Sequence, residues 1–546
     1  MATKPVNAQY AEVAPAVPLP GTGKQTYTYR IPAGISASVS LFSEVKIPLG
    51  KRAVKGFVVD VHNRSVRFPT KTLTAPNNAH LTAYQVTFAK WIARTMHGGL
   101  GYTLRMFLPP GRLASKAVAV LTNKPTATTA LALAVIDRQR ERRWNKINRL
   151  LAQAVRPGTQ ILVLVPELWM VEAVMAQLPT TLRALPVHSK LTSKQLTSTW
   201  HDVQRGAVDI IVGTQKALYL PYQRLGAVVI EEESFHSHKL WDAYPRLDGR
   251  YAARQLAAIH EAPVLYSSAF ASTFLAHGLT VASIIPMHNK PLQVMPQVVD
   301  ASFTDRQHKW TVPSEALGLI QKWLGIGERV LLVLHKHDSA VRYTLHQRFD
   351  KYMQKIDART RELDADARLL VSTTAAFTLL KDERVDRVLL LYPEKPMGYP
   401  DYRAEEEQVL LIARLQQLLA PRRRVCVVTR APLLVQERLL PNLEHNFALT
   451  LAERKALHYP PFTALVRLTV AAKTAKEALK RAGIVRDQLA GKLTRDVTLR
   501  GPFIDKGKQT KKAEAQLLLA GPLDAMIPLY ADLAITNADL APERIL

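Results

Sequence analysis

The sequence predicts a multidomain α/β protein: a β-rich N-terminal domain, two parallel-sheet lobes and a small α+β C-terminal domain. Three observations carry that prediction. The chain has 546 residues and 47% hydrophobic content, enough for several cores. Short runs rich in β-branched residues, Val208–Val212 and Ala227–Ile230 foremost, are too short for helices and end in polar residues, as buried parallel strands with functional loops at their carboxyl ends do. Between residues 161 and 300 such runs alternate with helical patterns, whereas residues 1–112 carry alternating runs broken by Gly and Pro.

Charge narrows the choice of partner. The 73 Lys and Arg exceed the 45 Asp and Glu by 28, with a pI near 10.1. Such an excess calls for a polyanion; nucleic acid is the default, a ribosome or an anionic membrane surface the alternative. The single cysteine, Cys426, excludes a disulfide framework and any multi-cysteine zinc site. No apolar run approaches the ~18 residues of a membrane span, and Met1–Pro15 lacks the apolar core of a signal peptide. A cytoplasmic location away from membranes is expected.

Residues 1–112 read as the first unit, with strands at Tyr27–Ile31, Ser43–Ile47 and Lys55–Val61 and a closing helix at Thr82–Met96. Its 14 Lys and Arg against 3 Asp and Glu carry much of the basic excess. Residues 113–160 read as a short basic linker. Within it Arg138–Arg149 is a basic helix; a solvated face with Trp144 docked inward is expected, the alternative being arginines that follow a nucleic-acid backbone. Residues 161–300 read as the first lobe. Its strand Ala227–Ile230 opens into Glu231, Glu232 and Glu233, where a nucleic-acid-dependent ATPase would hold Mg²⁺ and orient water. His236 and His238 lack partners at metal-site spacing and read as a surface loop.

No G-x-x-x-x-G-K-[ST] occurs anywhere. The nearest segment, Thr122–Thr129, has no glycine with which to build a nest of N–H groups for β- and γ-phosphates. Residues 301–445 read as the second lobe, with buried strands at Gly327–Leu334 and Leu369–Thr374. Residues 446–546 read as a β–α–β unit: strand Ala464–Val470, helix Thr474–Leu489 and strand Val497–Leu499. The lysine cluster Lys506, Lys508, Lys511 and Lys512 then precedes a strand at Ala515–Leu519 and is a candidate for phosphate contact.

Several stretches resemble primosomal protein N′ (PriA), a family of replication-restart helicases with two RecA-like lobes. VPLPGTGKQTYTYRIPAG, VKIPLGKRAVKGFVV and the helix running to LPPG match its 3′-DNA-binding domain end to end; GTQKALYLPY, Asp401-Tyr402-Arg403-Ala404-Glu405 and Tyr459-Pro460-Pro461-Phe462 match motifs further on. The resemblance implies a pocket for a terminal 3′ nucleotide lined by Tyr27, Thr28, Tyr29, Gly50 and Lys71, with Lys51 and Arg52 in the adjoining turn. An aromatic face stacks a base, a lysine meets a phosphate, and a glycine permits close backbone approach. Thr28 stands where the family has an aspartate that meets the terminal hydroxyl. Arg246 and Arg250 match a two-arginine stretch and, with Lys506 and Lys508, are assigned to DNA.

Other motifs depart from the family. Its Asp-Glu-Glu-His becomes Glu231-Glu232-Glu233-Ser234, the cysteines of its zinc insertion are missing, and its two-arginine G-R-A-G-R falls on Gln416–Ala420. Phosphoryl transfer is almost all positioning and electrostatics, so losing loop, lysine and arginines together removes it. The implied function is therefore a DNA-binding replication-restart (primosome assembly) protein recognising branched DNA, fork 3′ ends or single-stranded 3′ ends, without ATP-driven unwinding. It would need no zinc and no other cofactor, keep the three glutamates as vestiges, associate with the nucleoid, and meet single-stranded-DNA-binding protein and helicase-loading proteins. One alternative is a working ATP- and Mg²⁺-dependent 3′–5′ helicase with a divergent site. Another is a scaffold turned to RNA or protein binding.

Overall fold

The computed structural model describes residues 9–17, 26–64, 66–77, 81–110, 131–154, 156–240, 245–278, 284–286, 295–303, 311–335, 339–356, 360, 362–373, 385–399, 401–420, 423–440, 442–504 and 513–542. The N-terminal sheet comprises β1 (Tyr10–Pro15), β2 (Tyr27–Arg30), β3 (Glu44–Leu49), β4 (Arg52–His62) and β5 (Thr74–Asn77), antiparallel in the order β2-β1-β4-β3-β5. Leu49 pairs with Arg52, leaving a two-residue turn whose first member, Gly50, has φ 60°. Left-handed backbone is what tight hairpins require, and glycine supplies it without strain. Helix α1 (Ala83–Thr95) starts on a capping box between Thr82 and Gln85. Helix α2 (Leu100–Met106) lies so close to β1 that a Cβ on Gly101 would come within 2.2 Å of the Ala14 carbonyl.

The first lobe is a seven-stranded parallel sheet: β6 (Ala132–Ile136), β7 (Gln160–Leu164), β8 (Ala184–Val187), β9 (Ile210–Gly213), β10 (Leu225–Glu231), β11 (Val264–Ser268) and β12 (Ile284–Pro286), ordered β12-β6-β11-β10-β7-β9-β8. This corrects the linker reading of residues 113–160. β6 is an interior strand, and the helix that follows it, α3 (Arg140–Ala154), sets Trp144, Ile147 and Leu151 into the lobe's core. The alanines of β6 blunt its strand signal. Thr122–Thr129 lies outside the described residues.

The second lobe is a six-stranded parallel sheet: β13 (Gln297–Asp300), β14 (Val330–Val333), β15 (Met353–Ile356), β16 (Leu369–Ser372), β17 (Arg387–Leu391) and β18 (Val425–Thr429), ordered β13-β18-β17-β14-β16-β15. β13 precedes the expected boundary at residue 301 but pairs with β18. The C-terminal sheet contains β19 (Ala464–Ala472), β20 (Thr498–Ile504), β21 (Ala513–Gly521) and β22 (Asn537–Leu540), antiparallel in the order β20-β21-β19-β22. The β–α–β unit is thus split: β21 sits between its two strands, and β22 adds an edge.

Three of these parts share one hydrophobic core. It runs from Phe57, Phe88 and Ile92 through Leu162 and Ile230 to Leu468 and Leu540. Polar ties reinforce it: Trp200 Nε1 donates to the Phe107 carbonyl at 2.9 Å, and the Tyr530 hydroxyl to the Thr95 carbonyl at 2.8 Å. Buried Lys239 of the first lobe meets buried Asp539 of β22 at 2.6 Å. The second lobe has cores of its own and touches the first through a small apolar patch of Ala269, Phe270, Leu410, Ala413 and Phe447. Among the described residues no helix is long and apolar enough to cross a membrane.

Candidate functional site

The carboxyl edge of the first lobe's sheet is where β10 delivers its acidic run, and the structure encloses that run completely. Glu231 is the last residue of β10, and Glu232 has a positive φ of 47° that turns the chain. Arg143, from α3, lies between them. Its Nη2 donates to Glu231 at 2.8 Å and to Glu232 at 2.7 Å, its Nε to Ser267 Oγ at 3.1 Å, and its Nη1 to the Asp137 carbonyl at 2.6 Å. Only 1% of Arg143 is exposed. Burial works against charge on Glu232. Arg143, Arg414 and the Ala269 N–H outweigh it, holding this carboxyl below its usual range.

Glu233 points elsewhere, accepting hydrogen bonds from Ser272 N at 2.8 Å and Ser272 Oγ at 2.9 Å. Burial dominates here and pushes its pKa up to about 7. His238 is also buried, which lowers its pKa to about 4, and its Nε2 lies 3.0 Å from the Glu231 carbonyl. A neutral imidazole donates that bond. Among the described residues no three His, Cys, Asp or Glu side chains are grouped to hold a metal. One guanidinium thus spans Glu231 and Glu232 at this edge. Arg140, 4.0 Å from Glu231, adds a second cation beside the run.

The second lobe reaches this edge through the helix Ala404–Gln417. Arg414 Nη2 donates to Ser234 Oγ at 2.7 Å, and its guanidinium sits 3.9 Å from the centre of the Phe235 ring. One turn-pair earlier on the helix, Glu406 accepts from Thr273 N at 2.8 Å and Thr273 Oγ1 at 2.7 Å, and meets Arg454 Nη2 at 2.8 Å. These contacts border a cleft where both lobes and the Pro460–Pro461 segment converge. Arg250 lines it, but its guanidinium is bound to Asp248 at 2.7 and 3.0 Å and to the Glu233 carbonyl at 3.0 Å. Arg250, read from the sequence as a DNA contact, is here tied to the start of the helix Gly249–His260. Arg246 lies 3.8 Å from Asp539.

Of the residues assigned to a 3′ pocket, Tyr27, Thr28 and Tyr29 lie on β2 at the edge of the N-terminal sheet, Gly50 in the β3–β4 turn and Lys71 in the loop before β5. Tyr27 and Tyr29 alternate with Thr28 and so take the opposite face. Tyr29 is buried and donates from its hydroxyl to the Pro48 carbonyl at 3.1 Å; burial raises its pKa. Tyr27 is half-buried against the same core. Thr28 faces Glu12 across the β1–β2 register, its hydroxyl donating to that carboxylate. Lys71 Nζ donates to the Gly50 carbonyl at 3.2 Å, which brings Lys71 onto the Gly50 turn, with Lys51 and Arg52 exposed beside it. Lys506 and Lys508 lie outside the described residues.

Residues 13–109 match the family model for the PriA 3′DNA-binding domain (3′BD). The chain's N-terminal domain is of the PriA 3′DNA-binding type. The chain is 31% identical over 109 residues to replication restart protein PriA of Haemophilus influenzae, a match covering 20% of this chain and 14% of that one. Against the Rickettsia conorii PriA it is 23% identical over 281 residues, covering 46% and 42%. In alignment the chain thus covers under half of the length of these curated relatives. The solved DNA-bound DUF1998 helicase MrfA overlaps it with a TM-score of 0.36 at 10% identity, covering 80% of this chain and 65% of that one. The assignment rests on the family model and the relatives.

Two residues that dominate the acidic site were not singled out from the sequence. Arg143 stands four residues before Ile147 and eight before Leu151, on the stripe that α3 buries. That spacing was the available signal. Arg414 lies just before the Gln416–Ala420 segment in which the family's arginines were sought, and no local pattern distinguishes it from an ordinary helix arginine.

Proposed function

We propose that this chain is a replication-restart DNA-binding protein that recognises branched DNA and free 3′ ends and does not hydrolyse ATP to unwind them. The family model over residues 13–109 and the PriA relatives support the DNA side, as does the charge of +28. The observation that carries the loss of hydrolysis is Arg143, a buried cation bound to both Glu231 and Glu232 where a Mg²⁺–phosphate would need them. In this reading Tyr27 and Lys71 hold a terminal nucleotide, Glu12 and Thr28 meet its hydroxyl, and single-stranded-DNA-binding and helicase-loading proteins are recruited to the fork. A second reading, an active helicase, draws on Arg414, which approaches the acidic run from the opposite lobe.

The deciding measurement is ATP turnover by the full chain with and without single-stranded DNA, alongside binding to a synthetic fork. No turnover and ATP-independent fork binding are expected. DNA-stimulated turnover abolished by Glu232→Gln would overturn the reading.

A further inference from the structure

The loop joining β4 to β5 holds an uncovered aromatic ring. Phe68 is 53% exposed, and Arg67 and Pro69 on either side are exposed as well. Both ends of the loop are pinned. At the start, Arg64 pairs with Asp60 at 2.8 Å. At the end, the Arg30 amide donates to the Lys71 carbonyl at 2.9 Å, the Leu73 amide returns to the Arg30 carbonyl at 3.1 Å, and Leu73 is buried. The Lys71 ammonium on the Gly50 carbonyl then sets the loop against the β3–β4 turn, so that Lys71 joins Lys51 and Arg52 in a basic rim, with exposed Arg67 four residues back along the loop.

We propose that Phe68 is a stacking platform for a base of single-stranded DNA, with this basic rim following the backbone on either side. Charge complementarity selects the occupant. A bare apolar ring would also suit a protein partner, but four cations and no carboxylate along Arg67–Lys71 and the turn favour a polyanion with flat apolar faces. A π-face stacks any base, so the contact adds affinity without sequence preference. It also leaves the number of neutralised phosphates unchanged. The proposal rests on the DNA-binding reading above.

The test titrates the full chain with a single-stranded oligonucleotide carrying 2-aminopurine near its 3′ end, at several salt concentrations. Phe68→Ala should weaken binding roughly 5- to 100-fold, leave the slope of log K against log salt unchanged, and abolish quenching of 2-aminopurine. Phe68→Tyr should retain both affinity and quenching. Phe68→Leu keeps apolar bulk without the ring and should behave like Phe68→Ala; affinity equal to the parent in Phe68→Leu would overturn the stacking role. Lys71→Ala should instead lower the salt slope by about 1. If the parent binds and Phe68→Ala matches it in affinity and quenching, the platform is refuted while the DNA reading stands. Absence of binding by the parent refutes both.

Discussion

Glu233 is a carboxyl held near neutrality by its surroundings. Burial raises its pKa to about 7, against an ordinary value near 4.5, despite the two bonds from Ser272. The neutral form is therefore the one the fold favours. Its contribution to stability is complete below pH 4.5, the unfolded value, and is lost as pH rises through about 7. Above pH 7 the buried charge costs on the order of 3 kcal/mol. Glu233→Gln mimics the neutral carboxyl: its oxygen can still accept from the Ser272 amide, and its nitrogen can donate to Ser272 Oγ. It should raise Tm by a few degrees at pH 8 and leave it nearly unchanged at pH 5; equal shifts at both values would show that the carboxyl does not titrate there. The acidic run was legible in the sequence, since polar residues after a short β-branched run mark a strand's carboxyl edge. Its neutralisation was not, because Arg143 is 88 residues from Glu231 and meets it only once β6 and α3 are in place.

The helix Ala404–Gln417 is the element that fixes the second lobe to the first. Glu406 is buried between Thr273 and Arg454, and removing its charge leaves the Arg454 guanidinium buried without its carboxylate. Breaking such a pair costs about 3–5 kcal/mol. Because the second lobe has separate cores, Glu406→Gln should divide thermal unfolding into two calorimetric transitions, the earlier one belonging to that lobe. A single transition shifted as a whole would mean that the lobes unfold as one unit regardless of this contact. Strands dense in Val, Ile and Leu, such as β14 and β18, were readable individually. β6 was hidden by its alanines. β22, Asn537–Leu540, has only Ala538 and Leu540 as apolar residues, between polar ones, and is recognisable as a strand only by its pairing with β19.

For the whole molecule, a charge of +28 predicts that DNA binding is dominated by counterion release. Four phosphate contacts would cost about 100-fold in affinity between 50 and 200 mM salt. Fluorescence anisotropy over that range should show it, and a flat response at unchanged affinity would reassign the positive surface to another purpose. The core common to the N-terminal domain, the first lobe and the C-terminal sheet has a consequence in time. Tyr530 bonds Thr95 across 435 residues, and the Ala538 amide bonds the Met96 carbonyl. At the usual pace of synthesis, 435 residues take roughly 20–90 s. For all of that interval the end of α1 that meets Tyr530 and β22 waits uncovered on the ribosome, an adhesive surface on the nascent chain.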